Sequence, residues 1–283
     1  MSLVPRRGAR LDVLLPMSIA AEAPHLREKT LRIGWVGRIL ATFRVDTVIL
    51  YPDSASPDIK NATLVKELLD YLVTAPYLRR RLYPLRRVLR YAGLLPPLNI
   101  PTHPERGAIR RQGTHYREAL VIAEGETSTL EAGLSKPVKL GRRLKKGSRP
   151  ILKIRVSGGG RVKIRALPRE RCEVYPGYRA VIVNRPLREI VGKYGLRIAT
   201  SRLGKPFPEE ASRISELASS SESICVAFGS ADKGLHEIAA EQGFKLEEVF
   251  DAVLNFAPQQ AVKTIRTEEA LAYTLAQLNN HIP

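Results

Sequence analysis

The apolar positions fall into two textures along the chain. Near the N-terminus, "RLDVLLP" is a short apolar run and "DTVILYP" a continuous one. Continuous apolar strands are expected in a parallel sheet covered on both faces. Between them, "HLREKTLRIGWVGRILATF" carries Leu31, Trp35, Ile39 and Phe43 at near-four spacing and predicts a helix. A second helix is expected at about 62–74. "YLRRRLYPLRRVLRYAG" is helical in character but interrupted at Pro84, with six arginines between Arg79 and Arg90. The prolines of "LLPPLNIPTHP" then forbid regular elements and mark a boundary.

Beyond it the pattern alternates. "REALVIAEG" and "KPVKLGRR" are short strand candidates. In "ILKIRVSGGGRVKIRAL", Leu152, Ile154 and Val156 alternate with Lys153 and Arg155, and Val162, Ile164 and Ala166 alternate with Arg161, Lys163 and Arg165. A glycine turn joins the runs, predicting a hairpin with one apolar and one basic face. After Arg171 the first texture returns: "YRAVIVN", "LRIATS", "SICVAFG" and "AVLNF" read as strands, and "PLREIVGKYG" and "DKGLHEIAAEQG" as helices. Near the end, Leu271, Leu275 and Leu278 share one face of a helix, with Thr267 as its expected N-cap and Glu268 and Glu269 in the first turn. Both flanks supply strands. The reading is therefore one α/β domain, 1–97 and 172–283, interrupted by a β module at 98–171.

Charge sharpens this picture. The chain of 283 residues has a net charge of +18, which points to a polyanion. Ala132 to Arg169 contains no acid and 13 Lys and Arg, including Arg142, Arg143, Lys145, Lys146, Lys153, Arg155, Arg161, Lys163 and Arg165. The basic hairpin is the expected docking surface for that polyanion, a nucleic acid or an anionic membrane. With few aromatics nearby (Tyr116 and Tyr175), phosphate contacts should dominate over base stacking. Two cysteines, Cys172 and Cys225, offer neither a disulfide framework nor metal spacing. No apolar run reaches membrane-span length and the N-terminus lacks a signal-peptide core, so a cytoplasmic protein is expected.

The motifs exclude several chemistries. Walker-type, dinucleotide-binding, HExxH and GxSxG signatures are absent, and the histidines show no ligand spacing. What remains are strand-end loops rich in Gly, Ser, Thr and Pro: "IATSRLGKP", "VAFGSADKGL" and "NFAPQQAVKTIRT". Ligands of α/β sheets bind at the carboxyl ends of strands. Loops without a phosphate cradle suit a ligand read by backbone groups, although Gly229 and Gly234 could simply shape a tight strand-to-helix turn.

The succession "IATSRLG", "ICVAFGSADKGL", "LNFAPQQAVKTIRTEEALAYTLAQLN" resembles the C-terminal half of the SPOUT superfamily of S-adenosylmethionine-dependent RNA methyltransferases. More narrowly, it is similar to the archaeal and eukaryotic family with a β-barrel inserted in that domain. "GRILATFRVDTVILYPD" and "APYLRRRLYPLRRVLRYAGLLPPLNIP" resemble the same family. The resemblance implies a mostly parallel α/β sheet with a deep trefoil knot, an OB-like inserted barrel, a homodimer, and S-adenosylmethionine beside the subunit interface. It also places Thr200, Ser201 and Arg202 in the first knot loop, and Gly229, Ser230, Gly234 and Leu235 in the second. Asn255, Phe256, Pro258, Gln260, Thr264, Ile265, Thr267 and Glu268 fall in the third. Arg38, at the spacing of the arginine in related ribose methyltransferases, and Arg202 are the implied catalytic candidates. Two departures stand out. Ala261 follows Gln260 where the family has glycine, and His103 alone remains of a histidine pair. No metal is implied.

Two rivals share some of these features. A non-catalytic RNA-binding or ribosome-assembly protein would keep the insert, but would not need intact cofactor loops. A small-molecule α/β enzyme would not need the charge.

Overall fold

The computed structural model describes residues 3–105, 107, 109 and 112–282. The outer limits of the expected domains, 1 and 283, lie outside the described residues, as do four positions within 98–171.

In chain order the elements are β1 (Arg10–Pro16), α1 (Leu26–Thr42), β2 (Thr47–Tyr51), α2 (Ile59–Leu72) and α3 (Pro76–Leu82); then β3 (Gly113–Glu118), β4 (Leu120–Ala123), β5 (Ser128–Glu131), β6 (Val138–Leu140), β7 (Ile151–Val156) and β8 (Val162–Leu167); then β9 (Arg179–Ile182), α4 (Leu187–Val191), β10 (Leu196–Pro206), α5 (Phe207–Ser219), β11 (Ser223–Ala227), α6 (Leu235–Glu241), α7 (Leu246–Val249), β12 (Ala252–Asn255) and α8 (Thr267–Leu278). They fall into two compact units. One comprises Arg7–Leu72, Arg87–Pro97 and Tyr178–Pro283, the other Met1–Arg6, Val73–Arg86 and Leu98–Gly177.

The first unit is built on a six-stranded sheet of order β12-β10-β11-β1-β2-β9. Every pairing is parallel. The apolar runs of β1, β2 and β11 are buried almost without a break, as strands covered on both faces must be. Cys225 lies fully buried within β11, and its thiol pKa is raised by that burial.

Two helices differ from the sequence reading. The buried face of α1 is Thr30, Ile33, Gly34, Val36, Gly37, Leu40 and Ala41. Leu31 and Trp35 of the expected stripe point outward, 38% and 59% exposed. At the other end, Thr267 is the first residue of α8 and Arg266 is its N-cap. The Arg266 N–H is held by the Glu269 carboxylate at 2.9 Å. Leu271, Leu275 and Leu278 are buried as expected.

The last helix does not stay at the sheet edge where β12 leaves it. It packs on α1. Just beyond its end, the Arg7 guanidinium donates to the Ile282 carbonyl at 2.7 Å and to the Asn279 side chain at 2.5 Å. The chain thus returns from an edge strand to the start of β1, near the middle of the sheet.

The other unit holds two three-stranded antiparallel sheets, β3-β7-β8 and β4-β5-β6. They share a core of Ala119, Val121, Leu130, Ala132, Val138, Leu152 and Ile154. Helix α3 packs here too, its Leu78 meeting Ala75 and Leu120 of β4. The Glu118 carboxylate is completely buried. It accepts the Ala75 N–H at 2.8 Å and guanidinium N–H groups from Arg149 and Arg169, with closest approaches of 2.7 and 3.3 Å. Burial alone would raise the pKa of this carboxyl; its surroundings instead hold it down to about 2. His103, 3.6 Å away, and the guanidinium groups of Arg149 and Arg169 hold it down. Burial also lowers the His103 pKa.

Candidate functional site

Strands β12, β10 and β11 are neighbours and parallel, so the loops leaving their carboxyl ends meet at one edge of the sheet. The loops enclose a cleft of about 350 Å³, a size suited to a small organic ligand.

The first wall is an irregularity within β10. Thr200 and Lys205 both register with Leu254, so residues 201–204 loop out between them. Gly204 is where this loop grazes its neighbour: a Cβ there would lie 2.6 Å from the Val253 carbonyl oxygen and 2.7 Å from the Leu254 nitrogen. The Thr200 hydroxyl is spent on the Ala227 carbonyl at 3.0 Å. The Ser201 hydroxyl accepts the Leu203 N–H at 3.1 Å.

The second wall is the turn after β11. Phe228 forms its floor, with its carbonyl accepting the Tyr51 hydroxyl at 2.6 Å. The Ser230 N–H donates to the Lys233 carbonyl at 2.9 Å, and its hydroxyl accepts the Lys233 N–H at 3.0 Å. A Cβ on Gly229 would point into this turn, 2.8 Å from the Lys233 oxygen, whereas one on Gly234 would meet only a carboxylate tip at 3.9 Å. Gly229 therefore shapes the tight turn, and Gly234 faces space.

The third wall is the segment between β12 and α8. The Asn255 side chain donates to the Arg202 carbonyl at 2.9 Å and accepts the Ala257 N–H at 2.9 Å. The Arg202 guanidinium returns to the Lys263 carbonyl at 2.9 Å. The residue in the left-handed region is Gln259, with φ 60°, and not Ala261. The backbone here bends ahead of the alanine, so Ala261 is not strained.

Of the residues expected from the sequence, Thr200, Ser201, Arg202, Gly229, Ser230, Gly234, Asn255, Phe256, Gln260, Thr264, Ile265 and Thr267 all line this one cleft. Leu235, Pro258, Glu268 and Arg38 do not. Leu235 is buried beneath the wall, and Glu268 faces Arg32 at 3.9 Å. Arg38 is exposed on α1, donating to the Pro97 carbonyl at 2.6 Å. The cleft also takes in Leu203, Lys233, His236, Lys263 and Tyr273. The Lys and His types gave no spacing signal by which the sequence could single them out. No group of His, Cys, Asp and Glu that could hold a metal occurs among the described residues, and no described helix is long and apolar enough to cross a membrane.

The basic module has its own geometry. In the β7–β8 hairpin, Arg155 lies directly opposite Lys163 and Lys153 opposite Arg165. Like charges in such register oppose pairing. Lys153 is relieved by an ion pair with Glu173, which also accepts the Tyr116 hydroxyl at 2.6 Å. Arg143 is relieved by Glu124 at 2.9 Å, while Arg149 and Arg169 face Glu118. Acids outside the acid-free span thus neutralise part of it. Arg155, Arg161, Lys163 and Arg165, together with Arg142, Lys145 and Lys146, form no ion pair among the described residues. Tyr116 and Tyr175 are buried and present no ring for stacking.

Comparison with known proteins gives these features a context. Residues 10–278 match the family described as "Putative RNA methyltransferase". An uncharacterized protein of Halobacterium salinarum is 30% identical over 94% of this chain and 98% of its own length. A human 28S rRNA (uridine-N(3))-methyltransferase is 29% identical over 96% of this chain and 78% of its own. The Drosophila melanogaster protein of the same name is 26% identical over 96% and 62%.

Proposed function

The chain belongs to this family of RNA methyltransferases, and we propose that it transfers a methyl group from S-adenosylmethionine to N3 of a uridine in ribosomal RNA. The observation that carries the cofactor assignment is the convergence of the three loops on one cleft. Its floor is apolar, formed by Phe228, Leu254 and Phe256. Its polar side chains are largely consumed in holding the walls, which leaves backbone groups and loop edges to read a ligand. That composition fits a nucleoside carrying a sulfonium and no phosphate. Backbone groups of Thr200, Asn255, Gln260, Thr264 and Thr267 would hold it. When bound, it supplies an electrophilic methyl group.

The chain's own task is to align the acceptor nitrogen and to let its proton leave. Arg202 stands at the wall as a positioning group for an RNA phosphate. The free cations of the β7–β8 hairpin supply the main electrostatic hold on RNA.

The finer architecture follows the same reading. The return of α8 from the edge strand toward β1 supports a SPOUT-type trefoil knot, with 255–266 as the cofactor-facing knot loop and α8 as the element threaded through. The shared core of the two small sheets supports an OB-like barrel. So do the bonds from the Ala119 N–H to the Pro150 carbonyl and from the Val121 N–H to the Ser148 carbonyl, at 2.9 and 3.0 Å. Leu31, Trp35 and Arg38 share the exposed face of α1 at helical spacing. An uncovered tryptophan on that face supports a homodimer through α1, which would bring Arg38 to a cleft through a second copy.

Calorimetry of the full chain with S-adenosylhomocysteine tests the cofactor assignment: saturable binding is expected, and its absence with folded protein would overturn it.

A further inference from the structure

The mouth of the cleft carries apolar side chains that the fold leaves bare. Leu203 is 76% exposed, Val262 58% and Tyr273 45%. Single exposed apolar residues need no explanation, but two of these line one cleft and the third is next in sequence to a residue that lines it. Leu203, on the looped-out part of β10, and Tyr273, on α8, both line the cleft; Val262 adjoins Lys263, which lines it as well. Each loop residue is also paired in sequence with a cation, Arg202 with Leu203 and Lys263 with Val262. The guanidinium of Arg202 on the Lys263 carbonyl ties the two pairs together.

Bare apolar surface interleaved with cations matches single-stranded nucleic acid: base faces settle on the former and phosphates on the latter. The proposed chemistry makes the same demand. N3 lies on the Watson–Crick edge of uracil, so a paired uracil offers no N3 to a methyl donor. The base must leave its stack, and its ring faces then need a new neighbour. We infer that Leu203, Val262 and Tyr273 form a platform for one uracil ring held out of its stack, with Arg202 and Lys263 on the adjoining phosphates. The inference rests on the uridine-methyltransferase reading and adds that the substrate is an unpaired uridine.

The test uses the full chain and a short single-stranded RNA carrying one uridine, with RNA binding, S-adenosylhomocysteine binding and methylation measured together. Leu203→Ser and Tyr273→Ala should each weaken RNA binding about tenfold, well beyond any loss of S-adenosylhomocysteine affinity. Tyr273→Phe keeps the ring and should bind RNA as the wild type does. Annealing a complementary strand over the uridine should stop methylation by the wild type. The platform is overturned if the two truncating variants bind RNA unchanged or if the duplex is methylated as fast. It is also overturned if sedimentation shows these variants splitting a wild-type dimer, which would assign the mouth to a second copy. Wild-type binding of both RNA and S-adenosylhomocysteine alongside unaffected variants removes the platform alone. Wild-type binding of neither removes the underlying reading too.

Discussion

The hydroxyl of Thr267 donates to the carbonyl of Gly229 across 3.1 Å, joining residues 38 apart in sequence. Through this bond the first turn of α8 braces the tight turn after β11, so two walls of the cleft are held as one. Thr267→Val keeps the shape and leaves the carbonyl without its partner, at a cost of about 1 kcal/mol. S-adenosylhomocysteine affinity should fall about fivefold by calorimetry, while Thr267→Ser retains it.

Gly204 and Gly234 should behave oppositely. A methyl group at Gly204 collides with the backbone of Val253 and Leu254, and backbone cannot step aside as a side-chain tip can. Gly204→Ala is expected to lower stability by about 1–3 kcal/mol and to weaken ligand binding. Gly234→Ala should leave the melting temperature near that of the wild type. Thermal melts of the two variants side by side make the comparison.

In the β7–β8 hairpin, Arg155 and Lys163 face each other without acid between them. Replacing both by alanine should flatten the salt dependence of RNA binding, by roughly 0.7 in log–log slope for each phosphate that is no longer neutralised. The same change relieves a like-charge pair and should not destabilise the hairpin. Lys153→Ala should have a smaller effect on the slope, because Glu173 already neutralises it. Binding titrations across a salt series separate these variants.

The exposed face of α1 gives a test of assembly. Trp35→Glu places a charge on the surface proposed to meet a second copy, while the buried face of the helix is untouched. Sedimentation should show a dimer for the wild type and a monomer for the variant. A wild-type monomer would end the proposal.

Glu118 sets an acid limit. Its carboxyl is held at about 2, below its ordinary 4.5. A depressed carboxyl stabilises the fold fully above its unfolded value and loses that contribution as pH falls from about 4.5 toward 2. The size is on the order of 3 kcal/mol. His103, whose pKa burial lowers, acts in the same direction: the unfolded chain takes up its proton first as pH drops below 6.5. Denaturant unfolding at a series of pH values should show the loss in the wild type and a flatter acid limb in Glu118→Gln.

The continuous apolar strands and the alternating hairpin were legible because burial imposes periods of its own on a sequence. The strand-end loops were legible as a set, since Gly, Ser and Pro cluster where chain must turn against a ligand. Other features left weaker traces. Helix α5 announces itself with Pro208 and two first-turn acids, Glu209 and Glu210, yet its apolar residues are too sparse to draw the eye. In α1 the first half of the most visible apolar stripe, Leu31 and Trp35, is exposed, while two glycines and a threonine sit on the face that packs. Thr267 reads as a helix cap and serves instead as a brace to Gly229. That role depends on a partner 38 residues away, which no local pattern encodes. The partial neutralisation of the basic span was hidden for the same reason: Glu118, Glu124 and Glu173 lie outside it in sequence and against it in space.

The order of the three loops along the chain has a consequence for biosynthesis. The first two walls emerge from the ribosome with β10 and β11, but the Asn255 side chain, the 256–266 segment and the Thr267 brace follow only after β12. A nascent chain that has reached Phe250 therefore owns most of its sheet and no ligand site. Affinity for the methyl donor arrives late and all at once, so a chain stalled short of α8 has no closed cleft in which to sequester it.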